Sequence, residues 1–122
     1  MKKEKWKSGE LRINLRSIDN GIWIYTLFAE HATCPVATVW VLLTSDHFKN
    51  VVCEVCDIYV PVWYRRNGFA KYLIFELLNL YGNLRTVTGT RDGLKLIKSC
   101  GFKLNQASGD WWLRGEMKKT RT

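Results

Sequence analysis

A short basic segment at 65–70, with the sequence Arg-Arg-Asn-Gly-Phe-Ala, stands between an apolar stretch and a region of helical periodicity. The first amides of a helix lack intrahelical partners and the helix dipole favours an anion there, so such a junction suits a phosphate group. Gly68 lets a ligand approach the backbone closely, and the small side chain of Ala70 keeps the helix start open. The segment therefore predicts an anion site. An ordinary strand-to-helix turn with solvated arginines is the alternative.

Two of the four cysteines form a CxxC motif, Cys53 and Cys56, which is the spacing of many zinc and redox sites. They lie in an extended apolar run, where residues three apart point to opposite faces, whereas zinc knuckles place the motif on a turn. We therefore expect buried free thiols and no metal, with a metal site or a disulfide as the alternative.

The composition suits one domain with its own core, because the chain has 122 residues of which 47% are hydrophobic. We expect this domain to span 1–122, with flexible tails at 1–8 and 118–122. The net charge is +8, from 19 Lys and Arg against 11 Asp and Glu. Such a charge favours polyanionic partners, including nucleic acid, acidic proteins or a phosphorylated cofactor, although part of it only solubilises the surface.

Membrane and export signals are not found in the sequence. No apolar run reaches the roughly 18 residues of a membrane-spanning helix, and the basic start leads into polar residues. We therefore expect a cytoplasmic protein that does not bind a membrane.

Hydrophobic periodicity separates an all-β first half from a mixed second half. Strands are predicted at 11–18, 22–29, 36–43 and 51–60, with a hairpin turn at 19–21. A helix at 68–81, a strand at 84–89, a helix at 91–100 and a hairpin of 102–104 with 110–117 follow. This order predicts an α/β fold of the α+β type, a mixed, mostly antiparallel sheet of about six or seven strands with helices on its faces. The strands 51–60 and 84–89 should be parallel neighbours.

Residues 58–70 with Leu73 resemble the central motif of the GNAT superfamily of N-acetyltransferases. In that motif an apolar strand precedes Arg or Gln, two residues, Gly, one residue, and Gly or Ala. Arg65, Gly68 and Ala70 occupy the three key positions. The resemblance covers about 51–102, whereas the helix pair usual after the family's first strand has no counterpart in the predicted elements.

The resemblance implies acetyl-CoA as co-substrate. Backbone groups of Ile58 and Val60 would bind the pantetheine arm like an added strand, and the amides of 66–70 would bind the pyrophosphate. The implied cofactor-binding residues are Ile58, Tyr59, Val60, Arg65, Arg66, Asn67, Gly68, Phe69 and Ala70. The acetyl group would lie where a bulge typically separates the family's fourth and fifth strands.

Transfer of an acetyl group to an amine also needs a base, because a protonated amine has no free lone pair. The candidates are Glu54 and Asp57 on the fourth predicted strand. Glu54 has the spacing before Arg65 that histone-acetylating relatives show. Strict alternation puts Glu54 on the face of Ile58 and turns Asp57 the other way, unless a bulge reorients it. Either carboxylate could instead face solvent or pair with an arginine.

One position departs from the family pattern. Many relatives carry a tyrosine four residues before a Gly-Phe pair, where it protonates the departing CoA thiolate, and this chain has Ile97 there. Ser99, Cys100 or water are the remaining proton donors.

Two functions follow as expectations. The first is an acetyl-CoA-dependent N-acetyltransferase whose amine acceptor is a protein lysine or amino terminus. The alternative is a weak or inactive GNAT-fold binding module that grips a partner protein or nucleic acid, although nucleic acid is not favoured. The loops expected near the acetyl group contain only Asp46 and Asp110 as acids beside several basic residues, which disfavours a polycationic aminoglycoside as acceptor.

Overall fold

The computed structural model describes residues 11–17, 21–30, 32–45, 49–88 and 90–115. The strands are β1 (Leu11–Ser17), β2 (Ile22–Ala29), β3 (Ala37–Ser45), β4 (Val51–Tyr59), β5 (Asn83–Thr86), β6 (Lys103–Leu104) and β7 (Trp111–Arg114). The helices are α1 (Phe69–Tyr81) and α2 (Arg91–Cys100), and a 3-10 turn at Val62–Tyr64 precedes α1. The first hairpin turn was expected at 19–21, and residues 18–20 lie outside the described ranges.

The strands form one seven-stranded sheet in the order β1-β2-β3-β4-β5-β7-β6. Neighbours are antiparallel except β4 and β5, which run parallel because α1 carries the chain back across the sheet between them. The predicted fold class, a mixed and mostly antiparallel sheet of six or seven strands, is thus confirmed, as is the parallel pair.

Local signals account for the helix ends. Gly68, at φ +79°, precedes α1, and Gly82, at φ +80°, follows it. The Thr90 hydroxyl accepts a hydrogen bond from the Gly93 amide at 3.0 Å and so caps α2. β5 is shorter than predicted and ends at Thr86. The side chains of Thr88 and Thr90 bond to nearby backbone groups there, which competes with strand pairing.

Both helices pack on the same face of the sheet and enclose the core. Tyr81 of α1 shares a hydroxyl hydrogen bond with Tyr25 of β2, and Lys98 of α2 lies over the ring of Trp111 of β7. Leu73 and other apolar residues of α1 are fully buried against this face. None of the helices in the described part of the chain is long and apolar enough to cross a membrane.

The opposite face of the sheet, called the open face below, carries neither α1 nor α2. Cross-strand partners share a face and successive residues alternate between faces. Its residues are Arg12, Asn14, Arg16, Ile22, Ile24, Thr26, Phe28, Thr38, Trp40, Leu42, Thr44, Val52, Glu54, Asp57, Tyr59, Asn83, Arg85, Lys103, Trp112 and Arg114. Val52 is buried, and the other members are half-buried or exposed.

Candidate active site

A gap between β4 and β5 forms the centre of the candidate site. The two strands pair only from Cys53–Val55 to Leu84–Thr86, so β4 continues to Tyr59 without β5 beside it. A cavity of about 750 Å³ extends from this gap to the start of α1 and the inner side of α2.

A β-bulge in β4 creates the gap and changes which residues share a face. Val55 lies opposite Val41, but Asp57 lies opposite Trp40, so Cys56 is the extra residue. The bulge expected at this point is therefore present. Asp57 consequently shares the open face with Glu54, which lies opposite Leu42. The alternation pattern had placed Glu54 with Ile58, and this expectation is wrong because the extra residue turns Ile58 to the helix side, opposite Val39.

The start of α1 closes one end of the cavity with backbone groups. The first hydrogen bond of the helix runs from the Tyr72 amide to the Gly68 carbonyl at 2.9 Å. The amides of Ala70 and Lys71 come before it and therefore have no partner within the helix, which makes them available to an anion. The first turn of α1 contains no acidic residue. A Cβ built on Gly68 meets no heavy atom within 4 Å, which leaves room for a ligand above the helix end.

Eight of the nine predicted cofactor residues line this cavity. The exception is Asn67, whose side-chain amide donates to the Tyr64 carbonyl at 3.1 Å within the loop. Arg65 lines the cavity, but its Nε also donates to the Val60 carbonyl at 3.0 Å, which ties the loop to the end of β4. Arg66 is exposed and adopts a positive φ of 69°.

The opposite wall of the cavity was not anticipated. Thr86, Thr88 and Thr90 line it, followed by Gly93 of α2. A Cβ at Gly93 would lie 2.6 Å from the Thr88 hydroxyl oxygen and 2.8 Å from that of Thr90, so only glycine fits beneath this pair. The available signal was the alternation of three threonines directly before a predicted helix.

The two candidate bases have different surroundings. Glu54 forms an ion pair with Arg85 at 2.5 Å, both side chains being 29% exposed, and it does not line the cavity. Asp57 is exposed, lines the cavity, and accepts a hydrogen bond from the Ile58 amide at 2.8 Å. Asp57 is therefore the carboxylate that belongs to both the cavity and the open face.

The candidate proton donors also lie at the cavity. Ile97, at the family's tyrosine position, is buried in its wall. Ser99 also lines the cavity, and its hydroxyl donates to the Leu96 carbonyl at 2.8 Å. Burial raises the pKa of the Cys100 thiol, so that thiol keeps its proton at neutral pH. Asp110 is half-buried on the β6–β7 side. The hydrogen bond from Ser108, together with the one from Trp112, lowers the pKa of its carboxyl and outweighs the opposing effect of burial. Asp46 lies outside the described ranges.

All four cysteines are free, and one member of the CxxC motif, Cys56, is the extra residue of the β4 bulge. Cys53 is buried, and desolvation raises its pKa to about 12. Cys56 is exposed and lines the cavity, so the expectation that both thiols are buried is wrong for Cys56. No cluster of three or more potential metal ligands occurs within the described residues.

Comparison with known proteins identifies the fold. No family model matches the chain, and no curated protein matches its sequence. An aminoglycoside acetyltransferase, meta-AAC0020 from an uncultured soil metagenomic sample, solved with sisomicin, has 14% identity and a TM-score of 0.59. The match covers 68% of this chain and 59% of that one, so the present chain spans about three fifths of its length.

Two further structures match over more of their own length. A mutant AtaT toxin, bound to the C-terminus of the antitoxin AtaR and to acetyl-CoA, has 9% identity and a TM-score of 0.63, covering 86% of this chain and 93% of that one. The NatC complex bound to Gag peptide and CoA has 15% identity and a TM-score of 0.57, covering 76% and 71%. At identities this low the TM-scores establish the architecture alone, and the chain accordingly has a GNAT-like fold.

Proposed function

We propose that the protein is an acetyl-CoA-dependent N-acetyltransferase whose acceptor is an amine of a protein, either a lysine side chain or an amino terminus. The observation that carries this proposal is the continuous cavity in the β4–β5 gap, which reaches from the start of α1 to the carboxylate of Asp57. Structures of the same fold are described with acetyl-CoA or CoA bound, which supports the choice of co-substrate.

The residues present fit acetyl-CoA. A volume of about 750 Å³ lies within the usual range of ligand pockets, roughly 300–1,000 Å³. The pyrophosphate would lie at the start of α1, where the helix dipole and the side chains of Arg66 and Lys71 favour an anion. The pantetheine arm would run along β4 beyond Val55, where β5 has diverged and leaves that edge of the strand accessible.

Asp57 is the base in this proposal, with Glu54 as the second candidate. An ammonium group would lose a proton to the Asp57 carboxylate, and the neutral nitrogen would attack the thioester carbonyl carbon. The new C–N bond forms as the C–S bond breaks, the sulfur leaves with the electron pair, and the second proton of the attacking nitrogen passes to water. Glu54 is less available for this role because Arg85 already occupies its carboxylate.

The departing thiolate needs no tyrosine in this scheme. Ile97 carries no proton, so Cys100, Ser99 or water would supply one to the sulfur. A thiolate is a tolerable leaving group, and lack of a dedicated acid would slow the reaction without abolishing it.

Ile97 also supports a second candidate function, that of a binding protein with weak or no catalysis. Ile97 in place of the family tyrosine and the net charge of +8 also suit a weak or inactive protein that grips a protein or nucleic acid. AtaT, which shares the fold, has been solved with acetyl-methionyl-tRNAfMet, at 8% identity and a TM-score of 0.61.

Thermal unfolding with and without acetyl-CoA separates the two functions. A ligand that binds only the native state stabilises it by about 2.7 kcal/mol at a concentration of one hundred times Kd, so the enzyme should melt at a higher temperature with acetyl-CoA. Labelled acetyl-CoA should then acetylate lysine-containing peptides. A melting temperature that stays unchanged at saturating acetyl-CoA would refute the enzyme. Efficient turnover of an aminoglycoside with none on peptides would refute only the protein acceptor.

A further inference from the structure

The open face adjoins the reacting end of the cavity. Asp57 lines the cavity and lies opposite Trp40 near the middle of the open face. The helices α1 and α2 cover the other side of the sheet, so the cofactor and the acceptor would reach the β4–β5 gap from opposite faces.

The open face is predominantly basic among its described residues. Five basic side chains lie on it, Arg12, Arg16, Arg85, Lys103 and Arg114, against the two acids Glu54 and Asp57. A third acid, Asp110, adjoins the open face and accepts a hydrogen bond from the Trp112 indole at 3.0 Å. They form two flanks, one on β1 and the other on β5, β6 and β7. Partly exposed apolar side chains, including Ile24, Trp40 and Leu42, lie between the flanks. This pattern is complementary to a chain that is both acidic and apolar.

The aromatic rings at the flanks distinguish between kinds of acidic partner. The guanidinium of Arg12 lies over Phe28 at 5.2 Å, and that of Arg114 lies over Trp112 at 4.5 Å. Arg85 also approaches Trp112, at 5.7 Å. Single-stranded nucleic acid needs aromatic faces on which bases can stack, and arginines already cover the rings of Phe28 and Trp112, two of the four aromatic side chains on this face. Guanidinium groups held in this way present donor pairs that match carboxylates.

Like charge argues against two other occupants. A second copy of the chain would bring an equally basic surface to the open face. The terminal segments 1–10 and 116–122 of the chain itself are also basic in sequence, so they too would be repelled by the basic flanks of the open face.

We propose that the open face docks an acidic, partly apolar segment of the acceptor polypeptide and thereby brings its amine to Asp57. This docking role rests on the proposed function, because it names the partner surface of the same site.

Charge reversal on the open face tests this docking role. Arg12 and Arg16 are exposed on β1, so Arg12→Glu with Arg16→Glu reverses one flank. The matched control is Arg91→Glu with Lys95→Glu, which makes the same charge change at exposed positions of α2 that do not line the cavity. The probe is a fluorescent peptide of alternating Glu and Leu with one lysine, and a uridine oligonucleotide is compared with it by anisotropy.

The β1 variant should bind the acidic peptide at least about tenfold more weakly than the parent, whereas the α2 variant should bind it like the parent. Parental binding should weaken as salt is added. Acetyl-CoA affinity should be equal in all three proteins. If the β1 variant does not fold, Lys103→Glu with Arg114→Glu reverses the other flank and should give the same result.

Equal weakening in the β1 and α2 variants would overturn the docking role, since it would show only a net-charge effect. Tighter binding of the oligonucleotide than of the peptide through Arg12 and Arg16 would overturn it in favour of nucleic acid. Dimerisation that the β1 reversal abolishes would overturn it in favour of a second copy. A different result would separate this proposal from the proposed function. If the parent does not bind acetyl-CoA but the β1 variant still loses peptide binding relative to the parent, the proposed function is refuted and the docking surface stands.

Discussion

Glu54 and Arg85 form an ion pair 2.5 Å long across the parallel ladder of β4 and β5, one register step before the strands diverge. The pair lies on the open face, where Arg85 approaches the ring of Trp112 and Glu54 stands three residues before Asp57 in sequence. The arrangement gives neighbouring carboxylates different tasks: Glu54 joins the strands at the end of their pairing, and Asp57 lies where they have separated.

This division of roles predicts opposite outcomes for two matched amide substitutions. Asp57→Asn should keep acetyl-CoA affinity and lower kcat by about 10²- to 10⁴-fold, the usual value of general-base assistance. The loss should shrink as pH rises, because more of the acceptor amine is then neutral without a base. Steady-state kinetics from neutral to alkaline pH measure both effects.

Glu54→Gln should leave most of the turnover intact. Its cost in stability should be at most about 1 kcal/mol, because a half-exposed ion pair is screened by solvent. Parental turnover by Asp57→Asn near neutral pH, together with a large loss in Glu54→Gln, would assign the base to Glu54 instead.

Gly68 offers a test of the anion site at a single position. It stands at the N-cap of α1 with φ +79°, a backbone region that Asp and Asn tolerate better than most residues. The free energy of unfolding of Gly68→Asp and Gly68→Asn should therefore stay within about 1 kcal/mol of the parent value. Gly68→Asp should lose acetyl-CoA affinity, because its carboxylate would face the pyrophosphate.

Gly68→Asn is the control, since it has the same shape without the charge. It should weaken binding less than Gly68→Asp, as measured by isothermal calorimetry. Equal and parental affinity in both variants would place the pyrophosphate elsewhere.

The fold could be read from the sequence because its signals are local. Alternation gave β1 and β2 almost to the residue, and the glycines at 68, 82 and 101 marked the helix ends. The cavity residues on β4 and α1 were also accessible, because one continuous segment supplies them.

The rest of the site depends on long-range pairing. The bulge at Cys56 is a mismatch between β3 and β4, and nothing within β4 fixes which residue is extra. The orientation of Asp57 therefore could not be decided from alternation alone. The partner of Glu54 lies 31 residues further along the chain, on a strand whose register the sequence does not specify.

The threonine wall of the cavity can be tested through stability. Replacing a helical glycine by alanine normally stabilises by about 1 kcal/mol. In Gly93→Ala the new methyl group would displace the Thr90 hydroxyl, which caps α2, and loss of such a cap costs about 0.5–2 kcal/mol. Gly93→Ala should therefore gain no stability in the parent, as measured by urea denaturation.

The same substitution should stabilise a Thr88→Ala, Thr90→Ala background, because both hydroxyl groups are then absent. The coupling between the positions follows from the double-mutant cycle. Purely additive effects would show that Gly93 is not required by the threonines.

Cys56 provides a reporter of cofactor binding within the cavity. Desolvation, together with the negative charges of Glu54 and Asp57, raises the pKa of its thiol. Only the thiolate reacts with iodoacetamide, so a raised pKa means slow alkylation at neutral pH and a rate that climbs steeply into the alkaline range.

Cys34 is half-buried and does not line the cavity, which makes it an internal control in the same molecule. Mass spectrometry of peptides should show that acetyl-CoA protects Cys56 and leaves Cys34 unchanged. Alkylation of Cys56 at the same rate with saturating acetyl-CoA as without it would mean that the ligand does not pass the β4 bulge.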